Sequence, residues 1–231
     1  MKRTNNTLKT AGLLTAALVL ALVLLAESTS AEPKGRFGLI SGLNIASVWG
    51  NEAGGAGQRT AGSYGCFLMI PVSQSVYFRP EFLYSQKGTQ STIYFDGEPI
   101  DVRGKVDYIE VPLLFDVVFP TNASVSPHIT VGPSFAYNVL AKVEGANTSF
   151  DVSNVASTDV GLVLGGGLAF GSQKSLFFVD VRYTLGLTQI FKDLGPGDVI
   201  PPGEIAVAWP ETGRGLQYKN AVFSAMVGLA F

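Results

Sequence analysis

The chain has one histidine, His128, which sits two residues from Ser126, six from Ser134 and twelve from Asp116. A hydroxyl, an imidazole and a carboxylate are the parts of a nucleophilic hydrolase, in which the imidazole takes the hydroxyl proton and the carboxylate orients the ring. If the connection at 120–126 is a tight turn whose paired residue numbers sum to about 244, Asp116 faces His128 across a hairpin, and Arg79 on the neighbouring strand joins the same layer. Four more isolated charges, Glu81, Glu110, Asp180 and Arg182, lie in otherwise apolar or small-residue surroundings. The same seven side chains can therefore be a buried charge network that fixes strand register. That reading is the better fit, because His128 falls beside a short turn and points inward, whereas attack on a membrane lipid needs a triad that opens outward. No catalytic residue is assigned. Cys66 is the only cysteine, and no paired carboxylates or His clusters mark the loops, so no disulfide, metal site or cofactor site is expected.

The elements that carry these residues alternate with a period of two. In 176–188, Phe177, Val179, Val181, Tyr183, Leu185 and Leu187 share one face, while Asp180, Arg182, Thr184 and Gly186 share the other. The same parity runs through 108–119 and 128–139. It predicts eight strands, at about 36–48, 62–71, 76–89, 106–119, 127–142, 157–170, 176–189 and 217–231, and eight is enough to close a small barrel. Short connections at 72–75, 120–126 and 171–175 alternate with long ones at 49–61, 90–105, 143–156 and 190–216. The expected fold is therefore an all-β, eight-stranded antiparallel up-and-down transmembrane β-barrel with short periplasmic turns and long extracellular loops. Outward Phe37, Phe78, Phe119, Phe170, Phe177 and Phe231 collect at the turn end, and outward Tyr64, Tyr84, Tyr137 and Tyr183 nearer the loops, as two interfacial belts would. A soluble lipocalin-like barrel would bury the apolar face instead. Its outer face would then be lined by Gly42, Gly65, Gly132, Gly165, Gly167 and Gly228, and these suit a crowded interior better than a solvated surface.

The N-terminus reads as an export signal. Lys2, Arg3 and Lys9 precede the uncharged run Ala11–Ala26, and small residues follow to Ala31, so residues 1–31 form a cleaved signal peptide and 32–231 the barrel domain. The apolar run is shorter than the ~20 residues that a membrane anchor needs. Losing three bases and one acid moves the formal net charge from −2 to about −4, and with no basic run nucleic acid is not an expected partner. The long loops hold ten acids against five bases, which disfavours direct binding to lipopolysaccharide phosphates. The Gly-rich 50–58 is expected to be a flexible loop, with no helix after it to make a phosphate cradle.

The segments "GLISGLNIA" (38–46), "RPEFLYSQKG" (79–88), "YIEVPLLF" (108–115), "GPSFAYNV" (132–139), "VDVRYTLGLTQI" (179–190) and "KNAVFSAMVGLAF" (219–231) resemble the PorT-like outer-membrane β-barrel domain family, small barrels of OmpX and OmpA type from Gram-negative bacteria. The resemblance implies residence in the cell outer membrane and contact with its lipid. It also implies insertion by the outer-membrane assembly machinery, which reads a terminal aromatic residue, here Phe231. The expected role is structural or interactive, with extracellular loops meeting a protein partner. A PorT-like accessory of protein secretion and a lipid-modifying enzyme are the alternatives. The 193–215 loop matches no pattern and could carry individual function.

Overall fold

In lipid, backbone N–H and C=O groups have no water to bond, so a spanning sheet must close on itself. The computed structural model describes residues 35–50, 57–95, 98–121, 124–145, 148–151, 155–171, 175–190, 199–200, 205–206 and 218–231, and it shows that closure. The strands are β1 (Arg36–Trp49), β2 (Arg59–Pro71), β3 (Val76–Phe95), β4 (Glu98–Val118), β5 (Val125–Gly145), β6 (Thr148–Asp151), β7 (Thr158–Gly171), β8 (Leu176–Gly186), β9 (Val199–Ile200), β10 (Ile205–Ala206) and β11 (Lys219–Ala230). Eight of them form the ring β1-β2-β3-β4-β5-β7-β8-β11, with each strand antiparallel to the next. The last strand returns to the first from Gly38↔Ala230 to Trp49↔Lys219, and the Phe231 amide donates to the Phe37 carbonyl at 2.9 Å. A strand ending on an apolar aromatic is thus paired along its length.

The alternation sets the two faces. Leu43 is 61 % exposed and its neighbour Asn44 2 %, so the apolar face points out toward lipid and the polar face into the lumen. Outward aromatic pairs ring the turn end, with Phe37–Phe231, Phe78–Phe115 and Phe170–Phe177 centroids 6.0, 5.2 and 6.1 Å apart. Tyr64 and Tyr84 pair at 5.4 Å nearer the loops. Ring bodies in the acyl boundary and hydroxyls toward water match the two interfaces.

The interior of eight strands has room only for side chains, so bulky residues need vacancies beside them. Phe67 and Phe178 meet edge to face at 5.3 Å inside the lumen, toward the turn end. Each lies over a glycine: a Cβ at Gly38 would come within 2.2 Å of the Phe67 ring, and one at Gly228 within 2.2 Å of Phe178.

Several sequence boundaries are corrected. The stretch expected as a loop at 90–105 is instead the far end of the β3–β4 hairpin, paired from Val76↔Val117 to Phe95↔Glu98. Part of 143–156 continues as the β5–β6 hairpin, β2 begins earlier, at Arg59, and β8 stops earlier, at Gly186. Beyond the bilayer a strand has water on both faces and need not alternate, so its polar composition resembles that of a loop. Residues 1–31, expected as a signal peptide, most of the 50–58 loop and most of the 193–215 loop lie outside the described residues.

Gly228→Ala should lower stability by about 1–3 kcal/mol, because the fully buried Phe178 ring must leave its rotamer. Urea unfolding in lipid vesicles checks this, and adding Phe178→Leu should recover part of the loss.

Candidate functional site

Inward parity on four strands brings six of the seven sequence-selected side chains to one level of the lumen. Asp180 on β8 accepts from Arg79 Nη2 at 2.8 Å, from Arg182 Nη2 at 2.7 Å and Nε at 3.2 Å, and from His128 Nε2 at 2.8 Å. Arg182 also donates through Nη1 and Nη2 to Glu81, at 2.7 and 3.0 Å, a two-pronged pairing that a lysine could not make. Arg79 Nε lies 3.2 Å from both Glu81 and Asp116, and its guanidinium rests 4.7 Å from the centre of the Phe178 ring. Thr130 closes the layer by donating to Asp116 at 2.5 Å while accepting from Arg79 at 3.2 Å. All of these residues are buried. Ions at this depth are tolerable only because each finds several partners.

One expected contact is not formed. Asp116 pairs with Thr130, and His128 pairs with Val118, so the hairpin is centred one residue later than the sequence reading placed it. Phe119 N–H donates to the Pro127 carbonyl and Thr121 Oγ1 to that of Val125, and these bonds shape the turn. A two-residue shift keeps every side chain on its face, so Asp116 stays inward but meets Thr130, and the His128 ring reaches Asp180 instead. Ser134 is drawn away from His128, donating to Glu110 at 2.6 Å, while Ser126 lines the same space as His128 at the turn end.

Glu110 belongs to a second level, where Lys87 Nζ approaches it at 3.0 Å and lies 5.1 Å from the Tyr108 ring centre. Lys87 was missed from sequence although the inward parity of Arg79 and Glu81 continues through Leu83 and Ser85 to it. Nearer the extracellular rim, Asn220 donates to Asp159 at 2.7 Å and Thr188 donates to its other oxygen at 2.6 Å. The parity signal is weak there, because both residues sit at strand starts. Among the described residues, no group of three His, Cys, Asp or Glu side chains could hold a metal ion.

Between these levels the free space is about 20 Å³, bordered by Ser63, Lys87, Glu110 and Arg182, which is room for one water. A larger cavity of about 310 Å³ opens below Arg79 toward the short turns. The arrangement is a barrel plugged at mid-height, with a cavity that opens at its turn end.

Residues 28–192 match the family model described as "Outer membrane protein beta-barrel domain". The chain belongs to that family. Its place is accordingly the outer membrane of a Gram-negative bacterium. Among solved structures, the chain is similar to Ail, the attachment invasion locus protein of Yersinia pestis, at 15% identity over 85% of this chain and 99% of that one, with a TM-score of 0.40. Neisserial surface protein A is 12% identical over 88% and 100%, with a TM-score of 0.46. OprG from Pseudomonas aeruginosa is 12% identical over 85% and 96%, with a TM-score of 0.44. No curated protein matches the chain.

Asp180→Asn should destabilise the barrel by about 3–5 kcal/mol, since two guanidinium groups lose a buried counter-charge. Asp116→Asn, which removes the charge from a carboxylate with fewer donors, should destabilise less. Thermal unfolding in detergent orders the two, and planar-bilayer recordings of the unmodified protein should show negligible conductance.

Proposed function

We propose that this barrel is a surface-interaction protein whose contact element is the sheet rising above its extracellular rim. The β2–β3 ladder ends at Ser63↔Ser85, yet β3 runs on for ten residues to Phe95, roughly 30 Å at the rise of a strand. With β4, β5 and β6 it makes a four-stranded extension. Lys105 and Glu144 pair across it at 2.6 Å, and the ammonium holds that carboxyl below its ordinary range.

The observation that carries the proposal is the free edge of β3. Asn44 Nδ2 donates to the Gln86 carbonyl at 3.1 Å, and Arg59 Nη1 donates to that of Lys87, so side chains cap the edge just above the rim. Past Lys87, the edge has no strand partner among the described residues. Its sequence from Thr89 to Phe95, "TQSTIYF", has no charge and no proline, the devices that normally block strand addition. An extended segment of a partner protein fits that edge by main-chain pairing. We assign no catalytic role, and we read residues 1–31 as a cleaved leader. The finer kinship with PorT-like barrels rests on "PEFLYSQKG" and "YIEVPLLF", and no observation here favours a part in secretion.

Replacing 90–103 by Asn-Gly between the facing residues Thr89 and Gly104 should leave a normally inserted barrel. It should abolish the binding of extracellular protein to intact cells, while a photo-crosslinker at Thr92 of the untrimmed barrel should give partner adducts. Equal binding by the trimmed barrel, measured directly on cells, would refute the assignment.

A second expectation concerns assembly. Phe231, edge to face with Phe37 at the turn end, is the residue we expect the assembly machinery to engage. Phe231→Asp should reduce heat-modifiable protein in outer-membrane fractions several-fold, and unchanged insertion would remove that role.

A further inference from the structure

We propose that the segment taken up by the open β3 edge is an extended stretch of an extracellular protein with an apolar side chain at every second residue, its apolar side continuing the lumen side of the sheet. The inference rests on the edge-pairing reading above and adds to it the side-chain rule that selects the partner.

Above the rim the sheet keeps two unlike faces. Along β4, Asp101 and Arg103 are exposed while Val102 and Gly104 are half-buried, and the even parity that puts Tyr108 and Glu110 in the lumen continues upward through Val106 to Val102. The neighbouring strand follows because of one bulge. Between Asp107↔Leu140 and Tyr108↔Asn138 the ladder passes over Val139, and an extra residue reverses the parity of the strand that carries it. Ala141 and Val143 thereby join Val106 and Gly104 on the inner side, and Lys142 and Glu144 join Lys105 and Arg103 on the outer side. Without the bulge that ammonium and that carboxylate would point over the lumen.

The outer side matches charge with charge. Lys105 pairs with Glu144 at 2.6 Å, Lys142 approaches Asp151 at 3.8 Å, and Thr92 donates to Asp101 at 2.7 Å. The inner side presents Val102, Val106, Ala141 and Val143 around Gly104, and Thr89 stands between them and the open edge. Among the described residues, a Cβ at Gly104 would meet only Thr89 atoms within 4 Å, at 3.4 and 3.9 Å, so the apolar ground behind Thr89 is hollow.

These faces decide what an added strand must be. Residues directly opposite on neighbouring strands stand about 5 Å apart, so every second residue of the incoming segment lies beside Thr89 on the inner side, and the others lie beside Gln90 and Thr92 on the outer. A charge on the inner side would lose water over the valines, at a cost that a polar group on the outer side avoids. Alternation meets both conditions, and a slip of one residue would reverse them. The edge from Thr89 to Phe95 spans about 23 Å at the rise of a strand, which sets the length of the segment. A second copy of the barrel does not fit. In the same membrane it is related by rotation about the membrane normal, which exchanges inner and outer sides, so edge-to-edge pairing would set valines against charges.

The probe is acetyl-Ile-Thr-Ile-Lys-Ile-Thr-Ile-amide, compared with its isomer acetyl-Thr-Ile-Ile-Lys-Ile-Ile-Thr-amide, which divides the same isoleucines between two faces. In NMR titrations of the full barrel in detergent micelles, the alternating peptide should give saturable shifts at Gln90 and Thr92, and the isomer should bind about tenfold or more weakly. Charges at adjacent residues separate the faces: Thr89→Asp should lower affinity about tenfold more than Gln90→Asp, with heat-modifiable migration kept in both. Undiminished binding by the barrel trimmed between Thr89 and Gly104 would refute the edge reading itself. Loss of binding on trimming, together with equal affinity for the two isomers or equal effects of the two Asp variants, would keep the edge and refute the alternation. Absence of saturable shifts with the alternating peptide, or adducts between two copies of the barrel from a photo-crosslinker at Thr92, would overturn it as well.

Discussion

The interior depends on one carboxylate. Asp180 lies at membrane depth with no exposed surface, where an unpartnered ion would cost several kcal/mol even after relaxation. It accepts from Arg79, Arg182 and His128, which stand on β3, β8 and β5, and those partners draw in Glu81, Asp116 and Thr130. Strand pairing alone tolerates slippage by two residues, because that preserves the faces. The Asp180 layer does not, since each guanidinium must arrive at one height. The ladder hydrogen bonds close the ring, and the ion pairs set its register.

Charges of this size need space that an eight-stranded interior scarcely has, and the run Gly165-Gly166-Gly167 on β7 provides it. A Cβ at Gly167 would lie 2.6 Å from an Asp180 oxygen, and one at Gly165 would lie 2.9 Å from Arg182 Cγ. Both glycines pair directly with those residues in the β7–β8 ladder. The small residues on the inward face are thus the complement of the long ones. A soluble barrel with the same alternation would present these glycines to water, where nothing would require them.

Much of this was legible in the sequence, because a membrane barrel must show lipid an unbroken apolar face. Strict parity in 108–119, 128–139 and 176–188 located strands and sorted Asp116, His128, Asp180 and Arg182 inward, and the same parity in 76–89 sorted Arg79 and Glu81. Which inward residues would touch was less legible. Asp116 was matched with His128, but the turn centre moved by one residue and handed Asp116 to Thr130. Contacts across the lumen, such as Glu81 with Arg182, join strands that are not neighbours, and local parity carries no information about them. The protruding hairpin was missed for a related reason: above the membrane, alternation is no longer enforced, so residues 90–95 read as a loop.

The Asp180 layer also separates the two ends of the molecule. Solute passage would require opening these ion pairs, and the free space just above them is near one water molecule, so the layer divides the rim above from the turn end below. β3 touches both, carrying Arg79 and Glu81 in the layer, Lys87 above it and the open edge beyond. Transmission between the ends along that strand would need an element with two arrangements of similar energy. A carboxylate accepting from three side chains, two of which are themselves tied to Glu81, has no second arrangement that keeps its partners. The layer that makes the barrel rigid therefore makes its two ends independent, and a change at the turn end leaves the extracellular sheet as it is.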